Sequence, residues 1–195
     1  MSVRSVIRLL AFLAALCLPA QAFAYSYASP TSDPLIKQRE AFLSAVNKGD
    51  WAAAETAYKA FKPELETLAK GDDAYAGDAG VDTAFADAIS DKNADAAKAS
   101  LRRAYVDEID RRLGGAEKNI SNYQTAQNLV VIAQAFFQAM SGDLKPDVQK
   151  KAAAGFQNAI DAVGKPGVFG YGAQPADPAA LKKAHAEIMA ALKSS

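Results

Sequence analysis

From Asp33 onward, apolar residues recur at spacings of three and four, Ala, Leu, Lys, Glu and Gln dominate, and no run alternates with period two. Such spacings keep side chains on one face of a helix, and these residue types lose little conformational freedom there. The pattern predicts an all-α fold, an antiparallel bundle of about six to seven helices forming a single domain over residues 33–195. Few residues are β-branched, and strands are not required.

Local punctuation divides the bundle. Asp33 reads as an N-cap with Pro34 in the first helical turn, starting a helix that runs to Lys48, and Gly49-Asp50 ends it and caps the next. That second helix carries Trp51, Ala54, Tyr58, Phe61, Leu65 and Leu68 on one face, and Pro63 is expected to interrupt and kink it near residues 59–63. Residues 71–80 (GDDAYAGDAG) read as a loop, followed by a short helix marked by Val81, Phe85, Ala88 and Ile89. Asn93 caps a long fourth helix through Leu101, Tyr105, Ile109 and Leu113, which Gly114-Gly115 is expected to end.

Ser121 is the expected cap of a fifth helix whose apolar arc (Ala126, Leu129, Val130, Ala133, Phe136, Phe137, Met140) is the widest in the chain, which predicts a central, most buried element. Pro146 opens a sixth helix and Asp177-Pro178 a last one. Between them, residues 164–175 (GKPGVFGYGAQP) hold four glycines and two prolines, which exclude helix and set Phe169 and Tyr171 in a loop. Residues 83–89 (TAFADAI) echo residues 154–160 (AGFQNAI), in the manner of a duplicated helical unit, but no repeat period is sustained.

Ahead of the bundle, Arg4 and Arg8, the apolar stretch Leu9 to Leu18 and the small-residue site Ala22-Phe23-Ala24 read as a secretory signal peptide over residues 1–24, with a polar, disordered lead-in over residues 25–32. Export to a periplasmic or secreted location is expected, without membrane insertion after cleavage, because no second apolar run follows. Cys17, the one cysteine, lies inside that segment, so the expected mature chain has no disulfide, no thiolate metal site and no haem attachment motif. Without Arg4 and Arg8, 20 basic residues face 22 acidic ones, a balance that gives nucleic acid no electrostatic footprint.

Counting narrows the chemistry. His185 is the only histidine, which excludes histidine-rich metal sites and a di-iron bundle site with paired Glu-x-x-His motifs. No Gly-x-Ser-x-Gly elbow, Walker loop or dinucleotide fingerprint occurs, so a non-catalytic protein is expected. Carboxylates and tyrosines remain, the oxygen donors that hard cations such as ferric iron or calcium prefer. The candidate metal ligands are Glu64 and Glu66 on the second helix and Asp78 and Asp82 around the start of the third. Each has an alternative: solvated flanks for Glu64 and Glu66, helix capping for Asp78 and Asp82. Glu108 and Arg112, four apart within an apolar stripe, read as a partly buried ion pair, and Tyr58, Tyr105 and Phe136 as core. Phe169 and Tyr171 are the candidate partner-binding residues, either anchoring their loop to the bundle or forming a binding lip.

The order Ala57-Tyr58-Lys59-Ala60-Phe61, Glu64-Leu65-Glu66, Val81-Asp82-Thr83-Ala84-Phe85 and Ala88-Ile89 resembles the periplasmic helical region attached to Ftr-type ferric-iron permeases, over about residues 50–116. The resemblance implies an extracytoplasmic helical module that supports iron uptake beside a membrane iron transporter or another periplasmic protein, with Glu64, Glu66 and Asp82 matching the family's acids. The chain departs from the family in lacking its membrane-embedded Arg-Glu-x-x-Glu motif and any transmembrane helix, and residues 164–192 lie outside the match. Two readings follow: a helical protein that binds a hard cation or assists iron uptake, and a metal-free module that binds a protein or glycan through the 164–175 loop.

Overall fold

The computed structural model describes residues 32–167 and 171–194; the expected signal peptide, nearly all of the lead-in and Phe169 lie outside the described residues. Eight helices are present among the described residues: α1 (Pro34–Lys37), α2 (Arg39–Lys48), α3 (Trp51–Lys70), α4 (Val81–Ser90), α5 (Ala94–Lys118), α6 (Tyr123–Ser141), α7 (Pro146–Val163) and α8 (Pro178–Lys193). The expected first helix is thus two, divided at Gln38. Caps stand where short polar residues precede apolar runs: Asp33, Asp50, Asn93 and Asp177 each accept a hydrogen bond from a backbone N–H two or three residues on, at 2.9 to 3.1 Å.

Consecutive helices from α2 to α8 pack on one another, and α5 touches α2, α3, α4, α6 and α8, forming one helical domain. That makes α5, rather than α6, the centre. The α6 arc is buried as expected, but α5 is enclosed from more sides and buries Glu108 and Ser100 along with its apolar residues. The core of the first half is aromatic: Phe42, Tyr58, Phe61 and Phe85 meet with ring centroids 5.3 to 5.9 Å apart, mostly edge to face. In the second half Tyr105 meets Phe136 and Phe137 stacks on Phe156, both at 5.2 Å. No described helix is long and apolar enough to cross a membrane.

Three local expectations are corrected. Helix α3 runs unbroken through Pro63, because Pro63 and Lys59 lie on the solvent side, where water can take the carbonyl that the proline leaves without a donor. Helix α5 does not stop at Gly114-Gly115 but continues to Lys118; both glycines are buried. A Cβ on Gly114 would sit 2.5 Å from the Ala74 carbonyl oxygen, so this glycine lets the 71–80 loop lie directly on the helix. The cap of α6 is Asn122, whose side chain accepts from the Thr125 N–H at 3.2 Å, not Ser121.

Candidate functional site

Helix α5 carries the polar chemistry. Its buried Glu108, 1% exposed, takes both Arg111 (2.9 and 3.0 Å) and Arg112 (2.9 Å), the expected pair enlarged by a second arginine. Arg111 continues to Asp72 in the loop and Arg112 to Asp33 at the start of α1, at 3.4 and 3.8 Å, so one fully desolvated carboxylate ties the chain's first cap and the 71–80 loop to the central helix. Glu64 faces this network; burial first, and then the neighbouring Asp33 and Glu108 carboxylates, push its carboxyl above the usual range. Asp33 is raised by the same burial and by Glu108.

Asp107, whose Oδ2 is buried without a hydrogen-bond partner, lies beside Asp78 and Tyr75. A neighbouring carboxylate disfavours a second negative charge. Burial, and then contact with Asp78, push Asp107 up to about 7. Asp78 is held below the usual range: burial opposes this, but the bidentate hydrogen bonds from Arg103 outweigh it. Asp78 also accepts from the Gly80 N–H at 3.1 Å, but Gly80 itself is the N-cap of α4 and no side chain caps that helix, so the capping role weighed for Asp78 and Asp82 gives way to ties onto α5 and α3.

On the opposite flank of α5, His185 of α8 is clamped between Glu117 at Nδ1 (2.6 Å) and Asp110 at Nε2 (2.8 Å). Burial disfavours the charged ring, but the two carboxylates outweigh it and raise the histidine pKa, while the hydrogen bond to His185 lowers that of Asp110. Sequence reasoning missed this clamp because its members lie 68 and 75 residues apart.

The expected metal ligands do not converge. Asp82 accepts from the Tyr58 hydroxyl at 2.6 Å and pairs with Lys62 at 3.2 Å. Asp78 is held by Arg103, Glu64 is half-buried beside the Glu108 network, and Glu66 is exposed, since residues two apart on a helix face different ways. Among the described residues no group of three or more His, Cys, Asp or Glu side chains is arranged to hold a metal ion.

The described parts of the 164–175 loop, residues 164–167 and 171–175, pair as the arms of a hairpin. Lys165 and Gln174 exchange two backbone hydrogen bonds at 2.9 Å, and Gly164, Gly167 and Gly172 take positive φ. At Gly164 a Cβ would lie 2.4 Å from the Gln174 carbonyl oxygen, so the two arms close only with glycine there. Tyr171 is 87% exposed, which removes the reading of that residue as an anchor onto the bundle. At the hairpin's base a cleft of about 460 Å³ is lined by Asn158, Asp161, Asp177, Lys183 and Glu187 among others.

Compared with family models, with curated proteins and with solved structures, the chain matches none.

Proposed function

We propose that the chain is an exported, non-catalytic helical module that binds a polypeptide partner through the 164–175 hairpin. One observation carries this reading: Tyr171 stands 87% exposed on a hairpin whose arms are closed by backbone hydrogen bonds. A tyrosine supplies large, stiff contact area, and such residues are enriched where partners bind. The non-catalytic reading is supported by His185, both of whose ring nitrogens are already taken by carboxylates. The test is a photo-crosslinking residue at position 171, compared with one at exposed Lys182, followed by titration of the linked protein against the Tyr171→Ala variant. A polypeptide linked at 171 alone, whose affinity falls at least tenfold in the variant, is expected. Unchanged affinity, or binding to glycans with no protein captured, removes this reading.

A second reading, hard-cation binding in support of iron uptake, is favoured by one observation. Asp78 abuts Asp107 beside the Tyr75 hydroxyl, three oxygen donors of the kind such cations take once a proton leaves. It requires Arg103 to release Asp78. Melting curves with chelator and then with ferric iron, calcium, copper and manganese test it, since an ion that binds only the folded chain raises the melting temperature. A rise that survives Asp78→Asn and Asp107→Asn but is lost when Glu66 and Asp82 become Ala would direct the site to the acids that the family resemblance implies.

A further inference from the structure

Helix α6 is 19 residues long and holds no Asp, Glu, Lys or Arg, in a chain where 23% of residues are charged. Every other described helix carries at least one. Burial explains one side of α6, since Leu129, Val130, Ala133, Phe136 and Met140 are enclosed where it packs on α5 and α7. The outward side needs another cause. Gln127, Asn128, Val131, Gln134, Ala135 and Gln138 lie there, linked by helical spacings of three and four. Val131, in the middle, is 37% exposed and with Tyr171 is one of two exposed large apolar side chains among the described residues. Elsewhere the chain charges its exposed helix faces, as with Lys182, Lys183 and Glu187 on α8. Helix propensity does not select valine for a solvent-facing position, whereas loss of charge marks the centre of a surface that another protein covers.

The chemistry of this face selects its occupant. A charged partner would bring its charges to a surface that offers no counter-charge, and desolvating them there is costly. A carboxamide holds a donor and an acceptor together, so a face of Gln and Asn is complementary to another face of Gln and Asn. A second copy of this chain supplies one. The residues are also arranged evenly about Val131. With a two-fold axis through Val131 and perpendicular to the helix, each side chain meets the copy's side chain an equal distance on the other side. The long Gln127 then faces the small Ala135, Asn128 faces Gln134, and Val131 faces itself.

We propose that α6 is the interface of a two-fold dimer of this chain, in which two copies of the helix pack antiparallel with Val131 at the axis. Val131 supplies the apolar centre, and the amides of Asn128 and Gln134 pair on either side of it. A helix of 19 residues is about 28 Å long, and one such face buries less than the ~1,200 Å² of a standard interface, so the dimer is weak and its population depends on concentration.

The experiment is sedimentation equilibrium of the purified protein from about 5 to 500 µM, the range that a weak dimer requires. A reversible equilibrium between monomer and dimer is expected. Val131→Lys, at an exposed position, should weaken the dimer at least tenfold with the melting temperature unchanged. Asn128→Lys should weaken it too, and adding Gln134→Glu to the same chain should restore the parental affinity, because the antiparallel register sets the new acid of one copy against the new base of the other. A chain that stays monomeric throughout overturns the inference and leaves the face to a foreign partner. A dimer indifferent to Val131→Lys overturns it as well, since another face would then be in use. So does a double variant that dimerises no more tightly than Asn128→Lys alone, the result that a parallel pair of helices would give.

Discussion

Adjacent glycines near the C-terminal end of α5 allow the packing argument to be tested against an internal control. In an exposed helix interior, Gly→Ala stabilises by about 0.5–1 kcal/mol because alanine has less chain entropy to lose. At Gly114 the new methyl would lie 2.5 Å from the Ala74 carbonyl oxygen, a backbone atom that cannot turn aside. Overpacking of this kind costs about 1–3 kcal/mol, so Gly114→Ala should destabilise by a net ~1–2 kcal/mol. At Gly115 the methyl would meet only the Leu129 Cδ1 at 3.3 Å, the end of a flexible side chain, so Gly115→Ala should be neutral or stabilising. For a chain of this size each kcal/mol moves the melting temperature by about 2–4 °C. Thermal unfolding followed by circular dichroism should therefore show Gly114→Ala lower by about 2–8 °C and Gly115→Ala unchanged or higher. If the two variants move together, or if Gly114→Ala melts higher than the parent, the loop does not rest on α5 as described.

The other predictions concern charge and exposure. Glu108→Ala leaves Arg111 and Arg112 facing each other without the buried acid and should cost about 3–5 kcal/mol in urea unfolding; a loss below ~1 kcal/mol would mean water already reaches the pair. His185 has its folded-state pKa raised, so its contribution is complete below its unfolded value of about 6.5 and is lost as pH rises through the folded value. His185→Gln should flatten the fall of the urea midpoint above that pH, and a variant with the parental slope refutes the clamp. Asp107, raised to about 7, stabilises most below its unfolded pKa and loses that contribution as pH climbs from about 4 to 7. Asp107→Asn should remove that slope while leaving the His185 window above it intact. Tyr171→Ala should leave stability within ~0.5 kcal/mol of the parent, because the side chain is 87% exposed, and a larger loss would mean that the ring is packed in solution.

Much of the candidate chemistry was legible only as residue types. Glu108 and Arg112 were readable as a pair because four residues of helix bring them together, and Arg111, three residues on, was equally within helical reach and was missed, whereas its link to Asp72 across 39 residues was beyond any local pattern. Asp78 and Asp82 stood out as acids close to an apolar face, and that signal was sound: both are partly buried and partnered. Their partners Arg103 and Tyr58 are 25 and 24 residues away, beyond the reach of any local pattern.

What the sequence determined by itself is what a few residues can decide among themselves. The all-α class follows from spacing, and helix starts follow from Asp33, Asp50, Asn93 and Asp177, whose side chains bond N–H groups two or three residues along. The tertiary structure decided which stripes face one another, and that choice settled the rest. It turned Gly114-Gly115 from an expected helix end into a contact surface, made α5 rather than α6 the centre, and closed His185 between two acids of another helix. A glycine's cost in a helix is about 1 kcal/mol, small enough for packing to override, whereas the absence of a Cβ matters only when another backbone arrives within 3 Å. No local pattern announces that arrival.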